Sequence, residues 1–270
     1  MRDVKLIAVL LSKLQGNRVD FFKIKIVSNN SFPTACGLAS SASGMAAYSM
    51  AICNLLSLDP DRFASYLARR GSGSACRSIM GGIVEWQHDK NFPEVCVKPV
   101  FDPQFWPELR VLVCLMNGEK KKNNSTGGMQ DSVKSSSFLK HSRPKISSEN
   151  LTNIKVAIGE KNFQDFAHII MRESNQLHAM CLDTYPPINY LNESSWLMIT
   201  IVNEMNHFFN RNVLAYTFDA GPNPFLITLS ESADLILNIF TRLFAKFEII
   251  GHNLAGGEIP EELLLQVNQL

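Results

Sequence analysis

Residues 22–27 read Phe-Lys-Ile-Lys-Ile-Val, the two-residue alternation of a strand with one buried face. A turn-rich stretch follows at 29–34. Beyond Gly37 the pattern changes, and small and apolar residues run together over 40–56, which predicts a buried helix. Ahead of the strand, the apolar run at 6–11 is broken by Ser12 and Lys13 with no small-residue cleavage site after it, so 4–14 predicts an ordinary helix and not a secretory leader. Further helices are expected at 61–70, stopped by Gly71, Ser72 and Gly73, and at 74–80, ended by Gly81 and Gly82. Others are expected at 128–139, 151–159, 163–179, 192–210 and 232–246. Asn162 with Asp165 three residues on suits the start of the one at 163. Strands are expected at 83–86, 95–97, 110–116, 213–218 and 224–229, and 117–124 reads as a charged loop. There is no internal repeat. Strands mixed with helices in this order predict an α+β protein of two lobes, 1–108 and 109–270.

Composition narrows the function more than the fold. With 270 residues and 46% apolar side chains the chain can bury a full core, as one large domain or two packed ones. It carries 26 basic against 25 acidic side chains, a formal charge of +1, which offers no general attraction for nucleic acid or an anionic membrane surface. The apolar runs are short against the roughly 20 residues that cross a bilayer, so neither a nucleic-acid nor a membrane partner is expected. Cys36, Cys53, Cys76, Cys96, Cys114 and Cys181 are scattered, without a Cys-x-x-Cys pair, and several sit in apolar runs. That predicts buried free thiols in a reducing compartment. The six histidines form no His-Glu-x-x-His helix, so no metal cage built by protein side chains alone is expected.

Four segments could carry chemistry. Residues 33–42 read Pro-Thr-Ala-Cys-Gly-Leu-Ala-Ser-Ser-Ala, where small residues admit a ligand close to the backbone and a helix start adds N–H donors, an arrangement suited to phosphate. A tightly packed loop with an N-cap fits the pattern equally well. Residues 69–78, Arg-Arg-Gly-Ser-Gly-Ser-Ala-Cys-Arg-Ser, form a second small-residue turn, here bracketed by guanidinium groups that can fork onto a carboxylate or phosphate. The alternative is a Gly-Ser connector with solvated arginines. In 216–223, Asp219 ends an apolar strand and could serve as a base or as partner of a developing cation, though a turn-forming Asp is the simpler reading. Residues 121–129 set lysines and hydroxyls before a helix, a pattern that by itself reads as a solvated loop.

In this order and spacing the segments resemble the diphosphomevalonate decarboxylase family, part of the superfamily of galactokinase, homoserine kinase, mevalonate kinase and phosphomevalonate kinase. The residues that carry the resemblance are 32–44, 68–78, Ser125 and Thr126 with 128–130, Ser174 and Asn175 with His178 and Ala179, 181–188, and 215–223. It spans roughly residues 19–246. It implies a ribosomal S5 domain 2-like N-terminal lobe, incomplete here, and a ferredoxin-like C-terminal lobe.

The activity implied is ATP-dependent decarboxylation of mevalonate 5-diphosphate to isopentenyl diphosphate, with Mg²⁺ on the phosphates, in a cytoplasmic homodimer of the isoprenoid and sterol pathway. By resemblance Asp219 addresses the 3-hydroxyl and Arg77 the substrate carboxylate. Ser72, Gly73, Ser74 and Ser125 hold substrate or phosphoryl oxygens, while Gly37, Leu38, Ala39, Ser40 and Ser41 cradle the ATP phosphates. Against the family pattern, the chain starts at the helix that usually follows the first strands, does not match the usual closing strand, and has Lys122 and Asn124 where aspartate and serine are usual. Little or no turnover by the chain alone is therefore expected. A related small-molecule kinase and a non-catalytic interaction subunit stay open as alternatives.

Overall fold

Apolar side chains segregate into two sets, and the chain divides with them into a first unit, Met1–Pro107, and a second, Glu108–Leu270. In a computed structural model, residues 2–16, 25–32, 34, 38–87, 97–115, 125–244, 249–250 and 259–267 are described.

In the first unit, helices α1 (Arg2–Leu14), α2 (Ser40–Leu55) and α3 (Pro60–Gly71) close around Ala8, Leu11, Tyr48, Ile52, Phe63 and Leu67. The start of α3 follows from its sequence. Asp59 accepts the Asp61 N–H at 3.1 Å, and Pro60 fills the first helical position, where an N–H has no partner in any case. The segment after α3 winds as a 3₁₀ helix, Gly73–Ile79, tighter than the helix expected at 74–80. Strand β1 (Ile83–Trp86) pairs antiparallel with β2 (Val97–Phe101), Trp86 opposite Val97. Gly82 precedes β1 at φ 77, where an added Cβ would also crowd the Asp102 carbonyl carbon at 3.0 Å, so only glycine fits.

Two strand expectations need correction. Residues 25–27 lie in no strand and Val27 is 83% exposed; alternation alone does not make a strand without a paired neighbour, and none among the described residues pairs with it. Residues 22–24 lie outside the described residues, as do 95 and 96, and β2 instead runs on from Val97.

The second unit has a three-stranded antiparallel sheet, β3 (Leu109–Val113), β4 (Leu214–Phe218) and β5 (Pro224–Leu229), in the order β3-β5-β4. Leu112 pairs with Leu226, and Leu226 with Tyr216. With helices between β3 and β4 and another after β5, this is the ferredoxin-like order of first, third and second strand.

Leu112, Cys114, Leu214 and Leu226 join Met198, Val202 and Met205 of α8 (Glu193–Phe208) and Ile236, Ile239 and Phe240 of α9 (Ser230–Leu243) in one core. The remaining helices are α4 (Ser125–Ser135), α5 (Ser137–His141), α6 (Arg143–Gly159), α7 (Phe163–Asp183) and α10 (Glu261–Val267). A single helix was expected over 128–139. The break comes from Ser136, whose extended backbone and side chain, accepting from the Leu139 N–H at 3.0 Å, start a new helix. Helix α6 begins before residue 151 because Pro144 suits a first turn. It is tied to α7 by Arg143, which meets Glu173 at 2.8 Å and also donates to Gln176. Helix α7 starts where Asn162 accepts the Asp165 N–H at 3.2 Å, and α8 where Asn192 and Ser195 form a reciprocal capping box. Cys53, Cys76, Cys114 and Cys181 are buried free thiols.

Candidate functional site

The first unit brings hydroxyls together at two helix starts. Helix α2 opens from Ala39, held in the left-handed region at φ 53, which offers no side-chain acceptor to cap it. At the second residue of the helix, Ser41 Oγ lies 3.4 Å from Ser72 Oγ, so the segment expected to hold ATP meets the segment expected to hold substrate. Ser72 is extended and begins the turn that carries Gly73, Ser74 and Arg77. Arg77 is exposed, and its guanidinium stands 5.5 Å from the centre of the Trp86 ring, over which Arg69 also stands at 5.2 Å. Each such contact at an exposed site is worth about 0.5–1 kcal/mol, enough to bias a rotamer and too little to freeze it. A Cβ on Gly73 would touch the same ring at 3.3 Å. Leu38 and Ser40 are half-buried, and Gly37 lies outside the described residues.

The second unit holds Ser125 and Asp219. Asp219 leaves the end of β4 with its side chain exposed, on a backbone held at several points. The N–H of Phe218, just before it, donates to Ser174 Oγ of α7 at 3.0 Å. His178, one turn further along α7, hydrogen-bonds the Phe218 backbone as well. The Asp219 carbonyl accepts the Gly221 N–H at 2.7 Å, and the Pro222 carbonyl accepts Ser195 Oγ at 2.8 Å. Ser125 is the first residue of α4; Gly128, one turn on, packs so closely on the Tyr190 hydroxyl that a Cβ there would overlap it. Ser132 fixes the next turn, donating to the Gly128 carbonyl at 3.0 Å and lying 2.8 Å from the Thr184 hydroxyl.

The electrostatics link these groups. Burial pushes the His178 pKa below its ordinary value, against the opposing effects of the hydrogen bond to Phe218 and the charge of Asp219. Burial raises the pKa of Tyr190, and the Cys181 and Asp219 charges add to that rise. Asp219 is thus felt by both rings. Sequence reasoning gave no role to Trp86, Tyr190, Ser174 or His178. The last two stood in the family pattern at helical spacing, i and i+4, and that spacing was the available signal of a shared target.

No group of three His, Cys, Asp or Glu side chains placed to hold a metal occurs among the described residues. Nor, among them, is any helix long and apolar enough to cross a membrane.

A ferredoxin-like unit with a carboxylate at a strand end, in one chain with a unit of serine-lined helix starts, defines the class of galactokinase, homoserine kinase, mevalonate kinase and phosphomevalonate kinase folds. Within that class the chain belongs to the mevalonate 5-diphosphate decarboxylase family: residues 111–265 match its C-terminal domain, and 3–97 match the diphosphomevalonate decarboxylase-like N-terminal domain. The diphosphomevalonate decarboxylase of Schizosaccharomyces pombe is 43% identical over 229 residues, covering 82% of this chain and 57% of that protein. The chain therefore spans a little over half the length of that relative. The solved mevalonate diphosphate decarboxylase from Trypanosoma brucei superposes with a TM-score of 0.75 at 35% identity, covering 89% of this chain and 62% of that one. A further solved structure, MDDEF in complex with MVAPP, AMPPCP and magnesium, matches with a TM-score of 0.72 at 31% identity over 80% of this chain and 65% of that one.

Proposed function

We propose that this chain carries the site for ATP-dependent decarboxylation of mevalonate 5-diphosphate to isopentenyl diphosphate, ADP, phosphate and CO₂. The observation that carries the reading is Asp219, an exposed carboxylate on a braced loop at the end of β4, in a chain of this family.

The chemistry follows from what must balance. Asp219 orients the tertiary 3-hydroxyl, or takes its proton, as its oxygen attacks the γ-phosphoryl group and ADP departs. The C3–O bond of the phosphate ester so formed then breaks, its electron pair leaving with phosphate, and positive charge grows on C3 in the field of the Asp219 carboxylate. Loss of CO₂ supplies the electron pair of its C–C bond to close the double bond. General-base help of this type is worth roughly 10²–10⁴-fold.

Arg77 is assigned to the substrate carboxylate, Ser72, Gly73, Ser74 and Ser125 to substrate and phosphoryl oxygens, and Gly37, Leu38, Ala39, Ser40 and Ser41 to the ATP phosphates. The 3.4 Å approach of Ser41 and Ser72 supports one shared anion cradle. Mg²⁺ fits this donor set, since it keeps water and phosphate oxygens as ligands and asks little of carboxylates; bound there it would neutralise phosphoryl charge. Ser41 and Ser72 would hold it through their hydroxyls. The finer reading is a cytoplasmic homodimer serving isoprenoid and sterol synthesis; the buried free thiols support its reducing compartment, and family membership the rest.

The test supplies ATP, Mg²⁺ and mevalonate 5-diphosphate to the purified chain and follows ADP and CO₂ together. Release of both in equal amounts, abolished by Asp219→Asn with nucleotide binding intact, is the expected result, however slow the wild type. ADP without CO₂ would mark a kinase, and nucleotide binding with no turnover a non-catalytic subunit; either result overturns the proposal.

A further inference from the structure

Ser174 and His178 sit four residues apart on α7, so their side chains leave one face of the helix one above the other. Both reach the backbone of the same β4 residue, Phe218. Ser174 Oγ takes the Phe218 N–H at 3.0 Å. His178 donates a ring N–H to the Phe218 backbone, and since its Nε2 is buried without a partner, the donor is Nδ1 and the acceptor the Phe218 carbonyl. The N–H and C=O of one residue are therefore both held by side chains of a single helix.

The position of that residue gives the arrangement its meaning. Phe218 ends β4, where it stands opposite Pro224 of β5. The Pro224 carbonyl is turned to β3, where it accepts the Cys114 N–H at 3.1 Å, so the Phe218 N–H and C=O face away from β5, at the outer edge of the sheet. Side chains from α7 take up both groups there. The Phe218 carbonyl belongs to the peptide that leads into Asp219 and the Phe218 N–H to the one before it, so the direction of the Asp219 Cα–Cβ bond is set by α7.

The surroundings make the hold stiff. The His178 ring is buried, 6% exposed, with its edge toward the rings of Tyr190 at 6.5 Å and Phe218 at 6.2 Å, and Ser174 is 3% exposed. Burial excludes water that would compete for either hydrogen bond and leaves the ring few rotamers. Tyr216, two residues back on β4, donates its hydroxyl to Asn175 at 3.0 Å, which ties the strand to α7 a second time.

We propose that Ser174 and His178 are positioning residues that clamp the Phe218 backbone on both sides of its Cα and so aim the Asp219 carboxylate. The proposal deepens the decarboxylase reading and rests on it for the purpose of the aim, whereas the clamp itself is a statement about this chain. Neither residue need touch substrate. Their effect reaches the reaction through the orientation of the carboxylate, where an error of about 1 Å can cost 10²-fold.

The test has two arms that fail separately. In the first, NMR on the intact chain reads the His178 tautomer, the exchange rate of the Phe218 amide and the residual dipolar coupling of the Asp219 N–H. The clamp requires a neutral Nδ1–H tautomer, with Ser174→Ala speeding Phe218 exchange about tenfold and changing the Asp219 coupling, and Ser174→Thr restoring both. An Nε2–H tautomer, or an Asp219 coupling unmoved when Ser174 is removed, overturns it. The second arm is turnover: Ser174→Ala and His178→Phe should lower kcat about ten- to a hundredfold with the KM for ATP unchanged, and His178→Asn, which keeps an N–H donor, should recover part of the loss. A fall in ATP affinity with kcat intact also overturns the positioning role. Wild-type chain that shows the clamp by NMR but no turnover counts against the decarboxylase reading and leaves the clamp standing.

Discussion

The two units handle charge in different ways. In the first, the groups assigned to substrate and ATP are short hydroxyls at helix starts and an exposed arginine resting on Trp86, joined by one long hydroxyl contact of 3.4 Å. In the second, a single carboxylate stands on a loop whose backbone is held by Ser174, His178 and Ser195, from two helices with buried footing. A multiply charged, flexible ligand is well met by many weak donors that adapt as it settles. A group that must act on one hydroxyl needs a fixed direction. The difference teaches that substitutions in the first unit should act on binding in graded steps, while those in the second should act on turnover or on folding.

The largest break falls in the second unit's core. Phe240 is fully buried among Ile236, Ile239, Met205 and Leu226, and Phe240→Ala should cost about 3–5 kcal/mol, read by denaturant unfolding. A loss under about 1 kcal/mol would mean that this core can collapse into the space. Next comes Arg77→Ala. A hydrogen bond to a charged group is worth roughly 1.5–3 kcal/mol, so kcat/KM for mevalonate 5-diphosphate should fall by about ten- to a hundredfold. Lysine should recover part of the charge but not the fork. A change confined to kcat would blur the contrast between the units.

How much of this could be read from the sequence depends on the range of the interactions. Helix starts with their own caps were legible: Asn162 with Asp165 marked α7, and apolar period marked α8 and α9. The α4–α5 break was missed because Ser136 looks like any serine until Leu139 and Asp183 are seen around its hydroxyl. Residues 25–27 looked like a strand because a pleat pattern carries no information on whether a neighbour exists to pair with. Among the proposed site residues, Asp219, Ser72 and Arg77 stood out through turn chemistry and family resemblance. Trp86 did not, since its role depends on guanidinium groups brought to it across α3 and the 3₁₀ turn. His178 and Ser174 were visible as a pattern but not as a clamp, for their target lies some forty residues away.

A smaller break sharpens the comparison from the other side of the second unit. Gly128 has no room for a Cβ against the Tyr190 hydroxyl, and Tyr190 in turn packs on His178. Gly128→Ala should therefore cost about 1–3 kcal/mol through overpacking and lower turnover by displacing either Ser125 on α4 or Tyr190. Gly73→Ala in the first unit meets Trp86 at 3.3 Å, a half-buried ring that need give only a few tenths of an ångström, and should raise substrate KM with little loss of stability. Equal destabilisation by the two alanines, measured by thermal unfolding, would contradict the distinction between an adaptable cradle and a fixed post.

The smallest expected effect is also the most specific. Burial holds the His178 pKa below its ordinary 6.5, while the Phe218 carbonyl and the Asp219 charge pull the other way. The unfolded chain therefore binds the proton more readily than the folded one. Above pH 6.5 both forms are neutral and this contribution to stability is fully present. It is lost as the pH falls from 6.5 through the folded value, and below that nothing further is lost. Asp219→Asn removes an attraction for imidazolium without touching the burial, so the His178 titration, followed by NMR, should move lower still and the window of acid sensitivity should widen. His178→Phe should flatten the stability profile across that window. An upward move of His178 in Asp219→Asn would show that the two side chains do not share a field, and the loop would then lose the electrostatic half of its link to α7.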